Sequence, residues 1–92
     1  MSYSVVVSEQ VKGVLEDLHR SERSRSRELA LLLLRLEKDA RPDGSRQLSV
    51  GTGKKAKSAT EERIWDPAGF RIAYRVTDAK RMVEVGIVTR SR

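Results

Sequence analysis

The chain has 92 residues, no cysteine, one histidine, and 19 Lys+Arg against 13 Asp+Glu, a formal charge of +6. This length supports one hydrophobic core and predicts a single domain over residues 1–92. Without cysteine, disulfides, thiolate zinc sites and cysteine nucleophiles are excluded. With His19 alone, zinc has no ligand set, so neither metal nor cofactor is expected.

The chain starts MSYSVVVSEQ, without the basic start and apolar run of a signal peptide. Tyr3–Val7 is β-branched and short, the pattern of a strand. Ser8 is suited to cap a following helix, with Glu9 favourable in its first turn. Val11, Val14, Leu15 and Leu18 then recur at helical spacing, and His19 falls at the helix end. A second helix is expected from Glu22 or Ser24 to Ala40, with Leu29, Leu32, Leu33, Leu36 and Ala40 as its apolar stripe. Ala30, Leu31 and Leu34 widen that face, through burial on more than one side or as a patch for a partner. The run ALLLLRL (30–36) falls far short of the ~20 residues of a membrane span. A soluble, cytoplasmic protein with no membrane partner is therefore expected.

Pro42-Asp43-Gly44 is a turn, and Gln47–Val50 a short strand or extended segment. Residues 51–60, GTGKKAKSAT, read as a basic loop. They do not make a phosphate-binding loop: Leu48 replaces its first glycine, Lys55 its Ser/Thr, and no helix follows. Glu61–Trp65, Phe70–Val76 and Met82–Thr89 read as strands, with turns at Asp66–Gly69 and Thr77–Arg81. The order β-α-α-β-β-β predicts an α+β fold, with two N-terminal helices on one face of a small antiparallel sheet.

Charge is uneven along the chain. Residues 1–46 carry nine basic and eight acidic groups, residues 47–92 ten and five. A basic C-terminal half suits a polyanion such as nucleic acid. Aromatics are few, and Trp65 alone offers itself for base stacking, so arginine and lysine would dominate binding. In GFRIAYRV (69–76), Phe70, Ile72, Tyr74 and Val76 share one strand face with Val83, Val85 and Ile87 of the next. The other face then carries Arg71, Ala73, Arg75, Glu84, Gly86, Val88 and Arg90. Pairing Val76 with Val83 sets Arg75 against Glu84, Ala73 against Gly86, and Arg71 against Val88. Arg71 would be free of carboxylates beside a small-residue floor, a place for a phosphodiester, unless these are simply solvated charges.

The β-α-α order, RPDGSRQL (41–48), GFRIAYRV (69–76) and the valine-rich MVEVGIVTRSR (82–92) together resemble the RelE/ParE superfamily of bacterial toxin–antitoxin toxins, over nearly the whole chain. The resemblance implies a RelE-like fold, a cognate antitoxin, and no metal. For RelE-type members it implies ribosome-dependent mRNA cleavage that inhibits translation, with the RNA 2′-OH as nucleophile. Carried onto this sequence, Arg71 is the phosphate and transition-state residue, Glu62 or Glu61 a base, and Arg90 an electrostatic helper. Lys54, Lys55, Lys57, Arg63, Arg75 and Arg92 are then RNA-binding. The strand before GFR reads EERIW where RelE has lysines, and no Tyr or His follows the last strand. Those departures favour the alternatives: a ParE-type, non-enzymatic inhibitor of DNA gyrase, or a degenerate, non-toxic member.

Overall fold

The computed structural model describes residues 2–48 and 60–90. Strand β1 (Ser4–Val7) leads into helix α1 (Glu9–Ser21), and helix α2 (Arg23–Lys38) follows. Strands β2 (Arg46–Gln47), β3 (Thr60–Trp65), β4 (Phe70–Thr77) and β5 (Met82–Arg90) complete one sheet, ordered β1-β5-β4-β3-β2.

Local sequence explains the helical part. Ser8 is extended, and its side chain accepts from the Val11 N–H at 3.3 Å, starting α1. Glu9 lies in the first turn, and His19 and Arg20 in the last, each matched to the helix dipole. Glu22 ends α1 and begins α2; its N–H donates to the Leu18 carbonyl at 2.6 Å. Its carboxylate leaves the α2 N-terminus uncapped and binds Arg90 instead.

Both helices cover one face of the sheet. Val11 and Leu18 of α1, and Leu29, Leu33 and Leu36 of α2, join Phe70, Ile72, Tyr74, Val76, Val83, Val85 and Val88 in one buried cluster. The Tyr74 hydroxyl donates to the Ala40 carbonyl at 2.8 Å, so its only polar atom is satisfied. Burial raises the Tyr74 pKa above that of a free phenol.

Three expectations are corrected. First, the sheet is not wholly antiparallel: β1 lies parallel to β5, with Ser4 facing Met82 and Val7 facing Val85. Second, the β4–β5 register holds as far as Tyr74 opposite Val85 and then shifts. A bulge at Gly86 sets Ala73 opposite Ile87, Ile72 opposite Val88 and Arg71 opposite Thr89. Val88 is therefore fully buried and Ile87 is 53% exposed, the reverse of strict alternation. The bulge is held from α1: Ser8 Oγ donates to the Gly86 carbonyl at 2.7 Å, and the Gln10 carboxamide pairs with both backbone groups of Val88 at 3.0 Å. Third, Trp65 lies in the core, away from any stacking role. Of the two readings of the wide α2 face, the exposed patch holds for Leu31 and Leu34, which are solvent-exposed.

The β3–β4 connection is a type I′ turn. Phe70 N–H donates to the Pro67 carbonyl at 2.9 Å, and Ala68 (φ 53°) and Gly69 (φ 85°) are left-handed. Arg25 reaches over from α2, donating to the Ala68 carbonyl at 3.1 Å with its guanidinium 4.4 Å from the Phe70 ring centre.

Candidate functional site

The sheet face away from the helices carries the chemistry. Alternation on β4 turns Arg71, Ala73 and Arg75 to this side, while β3 contributes Glu62 and Ile64, with Asp66 just beyond. Val6 of β1 faces Glu84, and the bulge adds Gly86 and Ile87. Arg46 pairs with Ile64 across the β2–β3 ladder, and the Leu48 N–H donates to the Glu62 carbonyl at 2.7 Å. A shallow concavity of about 450 Å³ lies between them, lined by Val6, Leu48, Ala73 and Ile87, with Glu62, Arg75 and Glu84 among its polar groups.

The face has two ends. At one, Arg71 holds Asp66 in a fork, Nε to Oδ1 at 2.8 Å and Nη2 to Oδ2 at 3.2 Å, while Arg46 Nη1 lies 3.6 Å from the same Oδ2. These arginines hold the Asp66 carboxyl below its usual range, and Asp66 in turn raises the Arg71 pKa. At the other end, Arg75 Nε is 3.8 Å from Glu62 Oε2. Arg75 lies four positions along β4 from Arg71, roughly 13 Å at about 3.3 Å per residue. Three arginines (46, 71, 75) and three carboxylates (Glu62, Asp66, Glu84) balance among the described residues of this face. Of the excess of five positive charges in the C-terminal half, four come from Lys54, Lys55, Lys57 and Arg92, outside the described residues.

The sequence-derived site is therefore divided. Arg71, Arg75 and Glu62 share the face. Arg71 is not free, because Asp66 adjoins it across the hairpin where Trp65 pairs with Ile72. Arg75 has Glu84 as its strand partner, yet the carboxylate near its guanidinium belongs to Glu62. Arg90 lies on the helix side: the bulge sets it opposite Phe70, and it makes a two-pronged pair with Glu22 at 3.0 and 3.1 Å. That pair lowers the Glu22 pKa and raises that of Arg90.

Arg63 and Glu61 also point to the helix side, opposite Tyr74 and Val76, and pair with each other. Arg63 further donates to Ser45 Oγ at 2.9 Å. Arg41 bridges Glu61 at 2.7 Å and Asp78 at 3.0 Å, and Tyr3 OH donates to Asp78 at 2.7 Å. Burial pushes the Glu61 pKa upward, but Arg41 and Arg63 outweigh it and hold the carboxyl low. Arg46 is the residue that sequence reasoning missed. Its signal is positional: it faces Ile64, so it shares a side with Glu62 and Asp66.

Among the described residues, no three His, Asp or Glu side chains converge as a metal site requires, and no helix is long and apolar enough to cross a membrane. No protein-family model matches the sequence, and no curated protein matches it. Solved structures do match. RelE in the archaeal RelE–RelB complex from Pyrococcus horikoshii OT3 is 17% identical, with a TM-score of 0.78 over 99% of this chain and 97% of that one. A double-arginine mutant of E. coli toxin RelE in its free state is 18% identical, with a TM-score of 0.54 over 100% of this chain and 86% of that one. Two helices on a mostly antiparallel five-stranded sheet, matched from end to end at this level, establish that the chain has the RelE fold.

Proposed function

We propose that this protein is the toxin of a type II toxin–antitoxin system and acts in the cytoplasm as a metal-independent, ribosome-dependent mRNA endoribonuclease. The observation that carries this reading is Arg71, half-exposed on the open sheet face of a RelE fold, at the GFR position that resembles the RelE phosphate-binding arginine. In the proposed reaction the RNA 2′-oxygen bonds to phosphorus as the bond to the 5′-oxygen breaks, leaving a 2′,3′-cyclic phosphate and a 5′-hydroxyl. Arg71 offsets charge on the phosphorane. Glu62, on the same face, is the proposed acceptor of the 2′-hydroxyl proton, solvent water returns a proton to the leaving 5′-oxygen, and Arg75 is a backbone contact. Lys54, Lys55, Lys57 and Arg92 are proposed to supply further cationic contacts. Arg63 and Arg90, turned to the helix side, hold the fold instead.

An antitoxin partner is part of this proposal. Exposed Leu31 and Leu34 on α2 suit a protein partner, and the P. horikoshii neighbour is bound to RelB.

Primer extension on mRNA after induction tests the reading. Wild type should cut within translated codons, and Arg71→Ala should abolish cutting while circular dichroism stays unchanged. Undiminished cutting by Arg71→Ala would remove Arg71 from the mechanism. A ParE-type block of DNA gyrase is the second reading. It is favoured by the balanced charge of the open face among the described residues and by Glu62 lying at the far end from Arg71. Gyrase-dependent DNA damage without mRNA cleavage would establish it instead.

A further inference from the structure

We propose that Arg46 and Arg71 form a two-guanidinium clamp for one phosphate of an RNA strand, and that Asp66 is the resident anion which that phosphate displaces. This rests on the RNA-facing role given to the open sheet face above.

Two cationic side chains from different strands meet on a single carboxylate. Arg71 presents Nε and Nη2 to the two oxygens of Asp66 at 2.8 and 3.2 Å, a fork that fits two phosphate oxygens equally well. Arg46 stands 3.6 Å from Oδ2, too far for a hydrogen bond, so its donors have capacity for a larger anion at the same point. The exchange needs no opening of the core. The side chains are 49% (Arg71), 57% (Arg46) and 31% (Asp66) exposed.

The hairpin does not depend on the pair either. Six ladder pairs and the hydrogen bond from Phe70 to Pro67 already fix its register. An exposed ion pair adds little to that. Asp66 therefore serves as an internal competitor. It keeps the fork shaped when empty and sets a threshold that a weakly held anion does not pass. A protein carboxylate would exchange like for like, whereas a phosphodiester also brings a sugar that can lie over Ala73 and Ile64 beside the clamp.

The test uses the full chain and a short 2′-O-methyl RNA, which lacks the attacking hydroxyl, with affinity read by fluorescence anisotropy. Asp66→Asn should tighten binding by about two- to fivefold, the scale of one exposed ion pair released. Arg46→Ala and Arg71→Ala should each weaken it. The gain from Asp66→Asn should vanish in the Arg71→Ala background. A gain that persists there is long-range charge removal and overturns the clamp, as does no gain at all. Asp66→Ser repeats the measurement if Asp66→Asn is poorly folded. Tightening toward poly-glutamate but not RNA would reassign the clamp to a protein carboxylate and overturn the proposal. If Arg71→Ala leaves RNA affinity unchanged, the RNA reading of the whole face fails. If it weakens binding but Asp66→Asn does not tighten it, only the displaced-anion mechanism fails.

Discussion

Threonine placed at Val88 and at Ile87 tests the bulge that shapes the open face. Thr preserves β-branching, so strand preference is nearly constant between the two variants. Val88 is fully buried, and Thr there loses one methyl, worth about 0.8 kcal/mol, and buries a hydroxyl at about 1–3 kcal/mol. The expected loss is about 2–4 kcal/mol, or roughly 10–20 °C in Tm for a domain of this size. Ile87 is 53% exposed, so Ile87→Thr should cost about 1 kcal/mol or less. Urea denaturation of the purified variants, with m checked for constancy, measures both. If Ile87→Thr proves as costly as Val88→Thr, the strand alternates without a bulge and the geometry of the face is wrong.

Gln10→Ala should cost about 1–2 kcal/mol by urea midpoint, because it strips both partners from the Val88 backbone; an unchanged midpoint would show that water replaces them. Ala68→Asn should stabilise by about 1 kcal/mol in a thermal melt, since Asn tolerates the left-handed φ of 53° better and Asn-Gly suits a type I′ turn. Glu22, Glu61, Asp66 and Asp78 have folded pKa values held below their unfolded ones, so their stabilisation is present above about pH 5 and is lost as pH falls through the lowered values. Glu61→Gln should flatten the fall in urea midpoint between about pH 5 and pH 3. Tyr74 has the opposite sign: its raised pKa gives stability present below about pH 10 and lost above it, a loss that Tyr74→Phe should remove.

Much of the fold was readable from spacing. The α1 stripe, the cap at Ser8, the inward set Phe70, Ile72, Tyr74 and Val76, and the first half of the β4–β5 register follow from local periodicity. The rest depends on side chains reaching across the molecule. Nothing near Gly86 announces a bulge, because its support comes from Ser8 and Gln10, far away in sequence. One extra residue then turned Ile87 outward and carried Arg90 to Glu22. Arg71 and Arg75 were legible as a pair on one face, but their partners were not. Cross-strand reasoning considered only β5, and both carboxylates come from the β3 side.

The parallel pairing of β1 with β5 has a consequence for assembly. Ser4 finds its place only beside Met82, 78 positions later, and β5 lies between β1 and β4 in the sheet. No shorter stretch of chain can close this sheet, and so long a loop slows the search for the native pairing. A nascent chain still lacking Val83, Val85 and Val88 lacks part of the core beneath the helices and the strand that joins β1 to β4. The sheet, and with it the open face, is complete only when the last strand is in place.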